Sequence, residues 1–315
     1  VDKVFGKTAL QHVFVVRYGD MLPTTPSLDV PAELLQMKAK AEPFPEGTED
    51  FLAVTRSGAA CPAVTLGMDD VALMTYTSGT TGLPKGAMLS YGNALFKTAA
   101  AANCNGVRQD DVLLSIAPLY HIAGMLMGIN CPVYAGATSV LLYRFDPVAV
   151  LQAIPLYKIT WWYSIAPMNV AVMAVPGAKE RDLSSLRMNP VTSFGITFTE
   201  PLAQQWKQYA PNCSPFEAAY GLSETHTCDT YMPHDAVRWG AHGKATPGNT
   251  ILILNPDTDQ PVPTGEVGEI VIQGPGNFKG YWNKPEATAK TLRNGCVYTG
   301  DMGRLDADGY LTFIG

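Results

Sequence analysis

Between residues 69 and 230, apolar runs of strand length alternate with runs of helical composition, and this alternation restricts the fold more than any other feature of the chain. DDVALMTY (69–76), VLLSIAP (112–118), TSVLLY (138–143), ITWWYSIA (159–166) and VTSFGITFT (191–199) read as strands. Residues 90–102, AGMLMGI (123–129), PMNVAVMAV (167–175) and PLAQQWKQYA (201–210) read as helices, and SPFEAAYGLSE (214–224) follows the last of them. Near-continuous apolar strands separated by helices predict a doubly wound α/β layer, with ligand sites at the carboxyl ends of its strands.

The texture changes after residue 240. ILILNPDTDQPVPTGEVGEIVIQG (251–274) alternates β-branched and polar residues around turn signals at Asn255-Pro256 and Thr264-Gly265. That pattern predicts antiparallel hairpins in a barrel-like β subdomain. The expected division is therefore an α/β subdomain over 1–235 and a β-rich subdomain over 236–315. Ahead of both parts, HVFVVRYG (12–19) reads as a strand, and 31–51 as a helix with loops.

Bulk properties exclude several function classes. With 315 residues, 47% of them hydrophobic and 16% charged, the chain can bury a large core. A net charge of −6 without a Lys/Arg block predicts no nucleic-acid partner. The six cysteines show no CxxC pair, which suits a reducing, cytoplasmic setting, and His226, Cys228, His234 and His242 match no tight zinc spacing. Residues 112–143 carry no Asp, Glu, Lys or Arg, yet Pro118, His121, Gly124, Asn130, Pro132 and Gly136 divide the run, so no transmembrane segment is expected. No signal peptide is visible at the start.

The chemistry is concentrated in YTSGTTGLPKG (76–86). A strand before it and a helix after it make a context suited to polyphosphate. Glycines let the backbone approach anionic oxygens, hydroxyls and N–H groups donate to them, and Lys85 adds a full charge. It is not a Walker A loop, because Pro84 occupies the position before the lysine where that pattern requires glycine.

Further strings follow in order: APLYHIAG (117–124), AYGLSET (219–225), GEVGEIVIQGPGNFKGYWNKPEAT (265–288) and YTGDMGRLDADGYLTFIG (298–315). Together with the glycine-rich loop they resemble the adenylate-forming superfamily, whose members include acyl- and aryl-CoA synthetases, firefly-type luciferases and peptide-synthetase adenylation domains. The resemblance implies that Thr77, Ser78, Gly79, Thr80, Thr81, Gly82 and Lys85 hold the phosphates of ATP, and that Glu224 binds Mg2+. Without the resemblance, Glu224 reads as a helix-start carboxylate. The resemblance further implies that Asp301 accepts from the ribose hydroxyls, a turn aspartate in TGD being the alternative, and that Ala219, Tyr220, Gly221, Leu222 and Ser223 border the adenine. Gly195-Ile196-Thr197 stands where the family usually has Gly-Gly-Ala or Gly-Ala-Ser, which puts extra bulk there. His121 resembles the family's pocket-gating histidine, with a satisfied core histidine as the alternative.

For the acid, Tyr163, Ser164, Met168, Gly195 and Leu222 are the expected lining, with Met125 and Met127 beside them. Leu119-Tyr120-His121 lacks the aspartate that amino-acid-activating relatives place there. The implied reaction is ATP-dependent conversion of a fatty or aryl carboxylic acid to an acyl-adenylate and then to acyl-CoA, with ATP/AMP, Mg2+ and coenzyme A as cofactors and a homodimer as one assembly. The alternatives are loading of a carrier protein and, for this chain by itself, nucleotide binding with little turnover. By resemblance, the chain is a central part of the large domain. The family's hinge arginine and the small C-terminal domain, with its catalytic lysine, are expected beyond Gly315.

Overall fold

Near-continuous apolar runs favour parallel strands, and they form them here. The computed structural model describes residues 7–40, 42–77 and 83–315. It divides into two units, Val1–Thr65 and Leu66–Gly315. In the first, Phe14–Val15 pairs in parallel with Glu49–Asp50, and Ala32–Ala39 is helical. The strand expected over 12–19 shrinks to two residues, and a 3-10 turn follows at Tyr18–Met21. Phe14, Val16 and Tyr18 are all exposed, so the alternation has no buried face to sustain a longer strand.

The second unit contains every site candidate. Strands β1 (Val71–Thr77) and β2 (Lys85–Ser90) form an antiparallel hairpin with Thr77 opposite Lys85. Gly280–Tyr281 pairs along the other edge of β2. Ser90 then caps helix α1 (Tyr91–Cys104), accepting from the Asn93 N–H at 3.2 Å while the Asn93 side chain accepts from the Ser90 N–H at 2.8 Å. The glycine-rich loop therefore joins two strands. The expected strand–loop–helix unit is corrected in this respect: Lys85 opens a strand, and the helix N-terminus lies at Ser90.

Strands β3 (Val112–Ser115), β4 (Thr138–Leu141), β5 (Trp161–Trp162), β6 (Met188–Thr192) and β7 (Ser214–Glu217) form a parallel sheet in the order β7-β6-β5-β3-β4, and Ser164–Ile165 also pairs with β6. The chain runs from β3 outward to β4 and returns across it to β5, so the topological switch lies between β3 and β5. Leu113, Trp161, Met188 and Phe216 from the sheet pack with Ala101 and Ala102 of α1 in one core cluster. The run expected to be a strand over 191–199 ends at Thr192, because Gly195 takes a φ of 70° and turns the chain.

Beyond the parallel layer, β8 (Thr250–Leu254), β9 (Gly268–Gln273), β10 (Cys296–Leu305) and β11 (Leu311–Phe313) build a curled antiparallel sheet, with Leu292–Arg293 at its edge and a register shift between Glu269 and Val271. Alternate residues Ile251, Ile253, Ile270 and Ile272 point to one cluster, as the period of two requires. The charge-free stretch 112–143 resolves into β3, a helical segment that includes a π-helical stretch at Leu126–Asn130, and β4. Among the described residues no helix is long and apolar enough to cross a membrane.

Candidate active site

The carboxyl ends of β5, β6 and β7, with the helical segment that follows β3, open on a cavity of about 120 Å³. Its lining is mostly apolar and includes His121, Met127, Tyr163, Thr192, Ala219, Gly221 and Cys228. The Tyr163 hydroxyl shares a hydrogen bond with Thr192 Oγ1 at 3.1 Å, and burial pushes its phenol pKa up. His121 is exposed at this cavity and caps the helix Ile122–Met125, Nδ1 accepting from the Ala123 N–H at 3.3 Å. Partial burial lowers the imidazole pKa, and because Nδ1 accepts from Ala123, the proton of the neutral ring is placed on Nε2. The core-histidine alternative does not hold.

The other expected lining residues lie elsewhere. Ser164 follows Tyr163 on an extended segment and faces the opposite way. It is only 1% exposed and is satisfied by Asn169 Oδ1 at 2.7 Å and Asn189 Nδ2 at 2.9 Å. Met168 belongs to the helix Ala166–Met173, and Leu222 packs against two apolar clusters. Neither these nor Met125 appears among the described lining residues. Gly195, Ile196 and Thr197 form an exposed turn. Its base is held by Glu217, which accepts from the Ser193 N–H at 3.0 Å and from the Ser193 hydroxyl, and burial raises the Glu217 carboxyl above its ordinary range.

A second group of polar side chains converges from β2, the 219–225 loop and the 280–281 strand. Lys85 Nζ lies 4.5 Å from the centroid of the Tyr281 ring. The Tyr281 hydroxyl donates to Glu224 Oε1 at 2.6 Å, and Glu224 is only 8% exposed. Burial and the adjacent carboxylate both raise the Tyr281 phenol pKa, so its proton stays available for that bond. Thr77 Oγ1 is buried with no partner among the described residues. Ser78, Gly79, Thr80, Thr81 and Gly82 lie outside the described residues.

On the same loop, the Tyr220 hydroxyl donates to Asp301 Oδ2 at 2.7 Å, while one face of its ring stacks on Phe313. Burial raises the Tyr220 phenol, and the bond to Asp301 adds to the shift. The Asp301 N–H is fixed by Thr299 Oγ1 at 3.0 Å. Ser223 and Glu224 sit in a 3-10 turn, and the chain then passes through three left-handed residues, His226, Thr227 and Cys228, with φ of 60°, 55° and 53°. Gly221 packs against that turn, and a Cβ added to it would lie 2.5 Å from the Cys228 nitrogen. Gly221→Ala is therefore expected to cost about 1–3 kcal/mol through overpacking. A thermal melt checks this, with Tm falling by about 2–4 °C per kcal/mol.

Residues 6–282 match the family model described as AMP-binding enzyme. The chain belongs to that family. Feruloyl-CoA synthase of Amycolatopsis sp is 36% identical over 255 residues, covering 80% of this chain and 51% of that protein. The long-chain-fatty-acid–CoA ligase of Bacillus subtilis is 33% identical over 248 residues, covering 76% and 43%. Among solved structures, O-succinylbenzoate coenzyme A synthetase (MenE) of Bacillus subtilis, in complex with ATP and magnesium ion, superposes with a TM-score of 0.74 at 28% identity, covering 84% of this chain and 55% of that one. The chain spans about half the length of the curated relatives it matches.

Tyr281, which no sequence argument assigned a role, is the residue that brings Lys85 and Glu224 together. Its only signal in the sequence was its place in the GYW string of the 265–288 segment.

Proposed function

We propose that the whole protein is an AMP-forming acyl-CoA synthetase that activates a fatty or aryl carboxylic acid. The observation that carries this reading is a continuous connection. Lys85 lies over Tyr281, Tyr281 bonds Glu224, and the loop that holds Glu224 also presents Tyr220, which bonds Asp301. A cation and a carboxylate suited to a metal–polyphosphate are thereby tied to a carboxylate suited to ribose hydroxyls, next to a cavity of mostly apolar lining. The names and bound ligands of the relatives support the same assignment.

In this reading Lys85, Thr77 and the hydroxyls and N–H groups of 78–82 hold the β- and γ-phosphates. Glu224 is the ligand for Mg2+, which when bound neutralises phosphate charge. Asp301 accepts from the ribose hydroxyls, and Ala219 to Ser223 with Gly195 to Thr197 border the base. Phe313 covers one face of Tyr220, so adenine has the other. A carboxylate oxygen of the acid attacks the α-phosphorus, and the bond to the bridging oxygen of pyrophosphate breaks. The coenzyme A sulfur then displaces AMP from the acyl carbon. Lys85 offsets the charge repulsion between the acid and the triphosphate, and neutral His121 guards the mouth of the acid cavity. The α/β part up to residue 235 supplies the acid cavity and phosphate grip, and the β-rich part from 236 supplies the ribose carboxylate.

Acid-dependent pyrophosphate release by the whole protein, over linear, branched and aromatic acids, tests the reading. Exchanging coenzyme A for a carrier protein in the product assay identifies the acceptor. Pyrophosphate release that no acid stimulates would reject the synthetase assignment. Asp301→Ala removes a charged acceptor worth about 1.5–3 kcal/mol, so KM for ATP should rise about 10- to 100-fold with a smaller change in KM for the acid. Steady-state kinetics with each substrate varied in turn separates the two effects.

A further inference from the structure

We infer that Lys97 is a positioning residue that sets Glu224 against Lys85, an inference that rests on the nucleotide role proposed above for Glu224. Lys97 projects from α1 into the interior, 0% exposed, and its ammonium contacts Asp229 Oδ1 at 2.5 Å and the Cys228 carbonyl at 3.4 Å. Asp229 also accepts from the Thr225 hydroxyl on Oδ2 and from Asn249 Nδ2 at 3.2 Å on Oδ1. The Thr246 hydroxyl donates to the Cys228 carbonyl at 2.8 Å. These bonds close on the residues that flank the left-handed run 226–228, a conformation that L residues avoid unless their surroundings impose it. Glu224 immediately precedes this clamped segment.

The geometry also explains why a cation is buried here. An apolar side chain would fill the same volume without the desolvation penalty, so packing alone does not call for a lysine. Gly276 makes room for it, since a Cβ there would collide with Lys97 Cε and lie 2.8 Å from the Thr225 carbonyl oxygen. Because β2, which begins with Lys85, leads directly into α1, the ion pair joins the phosphate hairpin's own helix to the Glu224 loop. It fixes the spacing between the two groups that face the polyphosphate.

The test removes both charges and keeps the volume, in Lys97→Met/Asp229→Asn. The variant and the unaltered protein are titrated with ATP·Mg2+ and with AMP in the absence of metal, and hydrogen exchange is followed at the amides of 223–229. Positioning predicts ATP·Mg2+ affinity reduced about 10-fold or more, as for other residues that orient a metal ligand, with AMP affinity nearly unchanged and faster exchange confined to that loop. Unchanged ATP·Mg2+ affinity, or equal losses for both nucleotides, overturns it. If the double variant does not fold, Thr225→Val, which leaves the ion pair intact and removes the Thr225 hydroxyl bond that ties it to the segment beside Glu224, carries the same three measurements and the same outcomes. Failure of the unaltered protein to bind ATP·Mg2+ rejects the nucleotide reading instead, and the exchange measurement still decides whether Lys97 holds the loop.

Discussion

Lys85→Ala in the whole protein is expected to lower acid-dependent pyrophosphate release on the order of 10²-fold, the usual consequence of losing one charged contact to a transferring phosphoryl group. The expectation follows from the position of Lys85. It opens β2 opposite Thr77, and its ammonium lies over Tyr281, whose hydroxyl is bonded to the proposed metal ligand. Losing the charge leaves the hairpin's backbone pairing intact, so the fold should survive. Lys85→Arg keeps the charge but replaces a compact ammonium with a planar fork, and an intermediate loss is expected. Measuring kcat and KM for ATP in both variants distinguishes transition-state stabilisation from simple binding. Turnover unchanged in the alanine variant contradicts the phosphate role.

The second large effect concerns pH. His226 is 0% exposed, neither ring nitrogen has a partner among the described residues, and burial lowers its pKa to about 4. Above about pH 6.5 the ring is neutral in both folded and unfolded chains and contributes no pH dependence. Between about 6.5 and 4 the unfolded chain takes up a proton that the folded one refuses, so stability falls as pH falls. The loss reaches on the order of 3 kcal/mol near pH 4 and levels off below it. Glu217 and Asp229 act in the opposite sense, because burial raises their carboxyls, although at Asp229 the Lys97 ammonium pulls it back. Comparison with His226→Asn cancels those contributions. Asparagine does not titrate and tolerates the left-handed backbone. Denaturant unfolding at pH 7.5 and 4.5 should show the variant losing less stability than the unaltered protein, and parallel losses would refute the assignment.

What the sequence disclosed depended on whether the determining contacts were local. The parallel layer was legible because its strands are near-continuous apolar runs that need no pairing information to be recognised, and helix α1 carries its own Ser90–Asn93 capping signal. Strand β2 was hidden, because KGAMLS opens with a lysine and a glycine and is a strand only through pairing with β1 and with Gly280–Tyr281. Gly86 is tolerated in that strand because Met74 and Tyr76 on β1 lean into the space a side chain would take. At the cavity, strand alternation sends Tyr163 to the lining and its neighbour Ser164 to a buried Asn169–Asn189 network, which the apolar content of 159–175 does not announce. Tyr281 and Glu224 are 57 residues apart, and Lys97 and Asp229 are 132 apart. No local pattern announces partners at such separations.

The assignment of Lys85, Glu224 and Asp301 to a single nucleotide site is tested most directly by isothermal titration of this chain with ATP·Mg2+, alongside Lys85→Ala, Glu224→Gln and Asp301→Ala. The structure predicts saturable binding to one site, weakened by all three substitutions, with the dependence on Mg2+ lost only in Glu224→Gln. Absence of binding, or binding that none of the three alters, contradicts it.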